Sequence, residues 1–136
     1  MKRIDIINLN IVLANTTLST QEPDGVLAVI KTKRALTKEV RKFEELRDDI
    51  VREIRPKHEI PQEQLEKMDD SARKKAAEEN EKALVAEVSP LVHKLLEDEV
   101  AIELPRLSES TLGALVKENK FTVAQAEAVM ELLVSA

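Results

Sequence analysis

Four apolar residues, Val29, Leu36, Phe43 and Ile50, recur seven apart, and Val40, Leu46 and Ile54 fall on the same side. Lys, Arg, Glu and Asp take most of the positions between them. The spacing predicts one long amphipathic helix from about Pro23 to Arg55, with one buried face and one wet face. No other feature of the chain narrows the possible folds as far.

Pro56 and Pro61, in "RPKHEIPQEQ", end this helix, because each disfavours helical geometry in the residue before it and removes a backbone donor. The chain is expected to turn back there and run as a second long helix from Gln62 toward Asp98. Leu65, Met68, Ala72, Ala76 and Ala83 form a weak stripe on it, and Leu84, Val88, Leu91 and Leu95 a strong one. Its middle, "DDSARKKAAEENEK", is almost entirely charge and alanine and is expected to be solvated. Pro90 sits inside the strong stripe and predicts either a kink or a restart capped by Ser89.

Near the start, Ile4 and Ile6 alternate with Arg3 and Asp5, the pattern of a short strand. Leu9, Val12, Leu13 and Thr16 then fit a helix capped by Asn8, with a continuous strand through Leu13 as the alternative. Ser19 or Thr20 is placed to cap the long helix. In "DEVAIELPRLSESTLGAL", Val100, Ile102 and Leu104 alternate again. A lone strand leaves its backbone groups unpaired, and Arg3–Ile7 is the other alternating segment, so the two are expected to pair. A short helix from Ser108 or Ser110 to Lys117 follows. Thr122 then caps a last helix with Val123, Ala126, Val129, Met130 and Leu133 on one side.

The expected fold is therefore mainly α: a long antiparallel helical hairpin with a small two-stranded β-ribbon and short terminal helices. It is expected to be a single domain over residues 1–136, with the hairpin at about 23–98 and a base formed by 1–20 and 99–136. Composition supports helices over a sandwich or barrel, since charged residues reach 35%, aromatics 1%, and Gly25 and Gly113 are the two glycines. The core must be built from Leu, Val, Ile and Ala.

The net charge of -5 argues against bulk attraction to nucleic acid or to an anionic membrane. Without cysteine there is no disulfide, thiolate metal site or cysteine nucleophile. The opening "MKRIDIINLNIVLANTTL" has the basic start and apolar middle of a secretory signal. Asp5, Asn8 and Asn10 interrupt it, however, and no small-x-small cleavage pattern follows. No apolar run approaches the ~20 residues that span a bilayer. A cytoplasmic protein is expected.

In order, "KRIDIINLNIVL", "IKTKRALTKEVRKFEELRDDIV" and "LLEDEVAIELPRLSESTLGAL" give an aliphatic hairpin, an acidic run, an alternating segment and short capped helices. The chain in this respect resembles an uncharacterised family of small proteins from tailed bacteriophages and prophages. The resemblance covers most of the chain apart from about residues 56–80. It implies phage or prophage origin and a place in head or tail morphogenesis, and no particular activity.

Several local patterns invite chemistry. Ser71 and Lys74 have the Ser-x-x-Lys spacing of a serine and its base, but they lie in the most charged stretch with no second motif, which favours a chance match. His93 and Glu97 stand four apart, the spacing of two metal ligands on one helix face, yet the other histidine, His58, lies in the turn, so no metal is expected. Lys31, Lys33, Arg34, Lys38, Arg41 and Lys42 are interrupted by one acid, Glu39. Six cations over three turns can follow phosphates, but no aromatics interleave for base stacking. A solvated face comes first, protein binding second and nucleic acid last. Glu97, Asp98, Glu99 and Glu103 lack the spacing of a calcium loop and suit a charged edge that complements the basic run, in a partner or another copy. Neither glycine belongs to a phosphate-binding loop.

These ten residues, Lys31 to Lys42 and Glu97 to Glu103, are the candidate interaction surface. The expected function is that of a non-enzymatic structural or protein-interaction protein, such as a phage virion or assembly component, binding phage structural proteins or itself. A small regulatory protein acting on a host protein or on nucleic acid is the alternative. No cofactor is expected, and nothing assembles a nucleophile, a base and oxyanion donors.

Overall fold

A computed structural model describes residues 1–19 and 23–134 of the chain. They are mainly α-helical: α1 spans Arg3–Leu13 and α2 Pro23–Ile54, a 3-10 turn covers Arg55–His58, α3 is Gln62–Glu66, α4 Asp70–Glu97, α5 Glu109–Asn119 and α6 Val123–Val129, with a π-helical turn over Met130–Val134. Two compact units result, one made of Met1–Lys42 and Glu99–Ala136, the other of Phe43–Asp98. Helix α2 contributes its first part to the former and its last part to the latter.

The first unit encloses an aliphatic core of Ile6, Leu9 and Leu13 from α1, Val29 and Leu36 from α2, Leu115 from α5, and Leu107, Val129 and Leu133. Each such side chain contributes about 1.5–3 kcal/mol by leaving water. Thr32 is buried in the same stripe of α2, and its hydroxyl is satisfied by donating to the Ala28 carbonyl at 2.8 Å.

The expected β-ribbon does not form. Among the described residues there is no β-strand, and Arg3–Ile7 belongs to α1, which begins five residues before the expected cap at Asn8. The reason is packing. Ile6, Leu9 and Leu13 are three and four apart, so a helix brings all three to one buried face, whereas a strand would bury only the local alternation of Ile4 and Ile6. With its intended partner helical, the segment after α4 makes a single antiparallel bridge, Lys2 with Glu99, and Val100 N donates to Met1 O at 2.9 Å. Val100, Ile102 and Leu104 pack against the core. Their alternation records a half-buried extended chain and not a ladder.

Caps close the terminal helices. Ser108 Oγ accepts from Thr111 N at 3.1 Å at the start of α5, and Thr122 with Gln125 forms a reciprocal capping box on α6. Lys120, in the left-handed region at φ 51°, ψ 49°, ends α5. The neighbouring Asn119 holds the chain after α1: Thr17 N donates to its Oδ1 at 2.8 Å, and its Nδ2 donates to Thr17 O at 2.8 Å. The Ser19 hydroxyl is paired with Glu118; Thr20, the other expected cap of α2, lies outside the described residues. On the last helix the apolar face is narrower than expected. Val129 and Leu133 are buried, while Val123 is 84% exposed and Met130 is also exposed.

In the second unit Phe43, Ile54 and Leu84 are buried, and the Arg47 guanidinium stands 5.8 Å above the Phe43 ring. The 3-10 turn carries Pro56 near its start, and the chain turns so that His58 Nε2 pairs with Glu87 of α4. The expected continuous helix from Gln62 is broken. Helix α3 stops at Glu66, and the Asp69 carboxylate restarts the chain by accepting from Ala72 N at 2.7 Å. Arg73 Nε spans the break to Leu65 O at 2.6 Å. Helix α4 runs unbroken through Pro90, so no restart occurs at Ser89. Of its strong stripe Leu84 is buried, Val88 and Leu95 are half-buried and Leu91 is exposed, as is Leu46 on α2.

Candidate interaction surface

The basic run lies on the part of α2 that belongs to the first unit. Val29, Thr32 and Leu36 fix that helix against the core. At 100° per residue, Lys31, Arg34, Lys38, Arg41 and Lys42 fall within an arc of about 100° roughly opposite those residues. All five are exposed, whereas Lys33, which falls beside the core stripe, is half-buried. Lys42 pairs with Glu39 at 3.1 Å. Lys31, Lys33, Arg34, Lys38 and Arg41 form no ion pair or hydrogen bond with a described residue. The charges of Lys31, Arg34, Lys38 and Arg41 are held toward solvent because those residues lie on the arc opposite Leu36.

The four acids are placed differently. Glu97 is the last residue of α4 and Asp98 its C-cap, both in the second unit and both engaged in interactions of their own. Glu99, in the first unit, accepts from the Met1 ammonium at 2.9 Å. Glu103 is exposed on the extended segment. Two of the four thus belong to each unit, and at least three are occupied locally.

The remaining patterns stay apart. Ser71 and Lys74 are both exposed on the first turns of α4, and His93 and Glu97 are exposed near its end. Among the described residues no group of three or more His, Asp or Glu side chains stands close enough to hold a metal ion, and no helix is long and apolar enough to cross a membrane.

Two features were missed by reading charge alone. Leu27 is 50% and Ile30 is 42% exposed, and both fall on the same outer arc of α2 as Lys31 and Arg34. The outer face is therefore apolar at its start and basic beyond. A helical wheel carries this signal, since neither residue shares a face with Val29 and Leu36. In the second unit, Glu78, Glu81, Lys82, Val85 and Ala86 share one exposed face of α4, with Val85 51% exposed. Val85 falls about 100° and Ala86 about 200° around the helix from Leu84, so neither belongs to the strong stripe.

Comparison with protein-family models, with curated proteins and with solved structures gives no match to this chain.

Proposed function

We propose that this chain is a non-enzymatic structural or protein-interaction protein, and that its setting is the assembly of a phage head or tail in the cytoplasm of a bacterial host. The observation that carries the interaction reading is the outer face of α2. Arg34, Lys38 and Arg41 are exposed and unpaired among the described residues, next to exposed Leu27 and Ile30. Apolar area beside unpaired charge on a rigid helix suits a protein surface: burial supplies affinity, and the cations set orientation and the rate of encounter. The phage setting rests on the resemblance of the sequence pattern alone.

Affinity capture of the tagged protein from nuclease-treated native cells, with mass spectrometry of what stays bound, tests this. Capsid, portal or tail proteins are the expected catch. Recovery of a host regulator in their place would overturn the assembly setting.

A second reading, a small regulator acting on nucleic acid, draws on the same cations. Titration with duplex and single-stranded DNA separates the two, because phosphate contacts by five cations give a log affinity falling steeply with log salt. Absence of binding near physiological salt is expected.

A further inference from the structure

We propose that the outer face of α2 docks against the exposed α4 face at Val85 on a second copy of this chain. The proposal rests on the interaction reading above and names the partner. Two observations point to it independently. Charge is divided between the units: Phe43–Asp98 carries 16 acidic against 10 basic side chains, while the rest of the chain carries 10 against 11. A basic face on the near-neutral unit is thus complementary to the acidic unit of another molecule.

The local chemistry matches as well. The α2 face offers Leu27 and Ile30, with Lys31 and Arg34 one turn on. The α4 face offers exposed Val85 and Ala86, with Glu81 and Glu78 one and two turns back along the helix. An antiparallel approach of the two helices sets leucine and isoleucine over valine and alanine, and lysine and arginine over the two glutamates. Lys82 is the cation among these five residues, and its long stem lets the ammonium reach past the contact to water. Neither Glu78 nor Glu81 makes an ion pair or hydrogen bond with a described residue, so both are available.

Light scattering coupled to size exclusion on the full chain tests the proposal, over a range of concentrations and at low and high salt. The expected result is a mass above the 15.3 kDa monomer at low salt, returning to the monomer at high salt. Reversal of one surface, K31E/R34E, or of the other, E78K/E81K, should weaken association at least about tenfold. Every changed side chain is exposed, and helical circular dichroism of each variant confirms the fold.

The decisive step mixes the two variants. One then presents acids where the other presents cations on both surfaces, so an equimolar mixture should associate although neither does alone. A wild-type chain that stays monomeric throughout, or a mixture that stays monomeric, would overturn the proposal. So would a monomer whose α2 cations bind duplex DNA. These outcomes are independent of what affinity capture recovers, so self-association and the assembly setting fail separately.

Discussion

Gly25, in the first turn of α2, lies so close to Thr111 of α5 that a Cβ placed on it would stand 2.6 Å from the threonine hydroxyl oxygen. A contact of that length forces one partner to move, and Thr111 is buried with its hydroxyl bonded to Ser108. Alanine in place of a helical glycine gains up to about 1 kcal/mol of backbone entropy, but overpacking costs about 1–3 kcal/mol. Gly25→Ala should therefore lower stability by about 1–2 kcal/mol in chemical denaturation. In a Thr111→Ala background the same change should be neutral or stabilising. A destabilisation of equal size in both backgrounds would mean that the contact is not its cause.

Core and surface hydrophobics should part sharply. Leu115 is fully buried in the first unit, and Leu115→Ala should cost about 2–5 kcal/mol through lost transfer energy and the cavity left behind. Val123, next to the α6 cap and 84% exposed, should change stability by less than about 0.5 kcal/mol when made alanine. Equal losses at the two positions would contradict the arrangement of the last helix.

Asn119 bonds both the donor and the acceptor of Thr17, and its Nδ2 also donates to Leu115 O at 3.0 Å. Asn119→Ala should cost about 1–2 kcal/mol and make the segment after α1 more sensitive to limited proteolysis. Asn119→Asp keeps an acceptor for Thr17 N and loses the donor, so its cleavage rate should fall between wild type and Asn119→Ala.

His58 and Glu87 form a partly exposed pair in the second unit. A double-mutant cycle with His58→Ala and Glu87→Gln should give a coupling of no more than about 1 kcal/mol. A much larger value would identify the pair as the main tie of the turn to α4, ahead of Ile54 and Leu84.

The longest helix was legible because its signal is redundant: Val29, Leu36 and Phe43 repeat over many turns, and all three are buried. Short segments carry no such redundancy. Arg3–Ile7 fits a strand and a helix equally well until Leu9 and Leu13 are counted with Ile6, and the choice is made by a core whose other walls come from distant sequence. The break before α4 was written in Asp69, a good N-cap, but the neighbouring run of helix-forming residues masked it. In the candidate surface, charge and spacing carry five of the six cations of the α2 run to water, whereas Lys33 stands half-buried beside the core stripe. The acids between Glu97 and Glu103 are expected at a helix end followed by an extended segment, and α4 does end at Glu97; that Glu99 turns to the Met1 ammonium is a contact no local spacing carries.

Pro90 lacks an amide hydrogen, so the Ala86 carbonyl loses the donor four residues ahead of it although α4 continues past it. Two lengths of helix that open separately should result. In hydrogen–deuterium exchange the amides of Leu91–Glu97 should form one block, with protection unlike that of the long stretch before Pro90. The seam falls at Ala86, beside exposed Val85, where a docked chain would slow exchange on one side of it first.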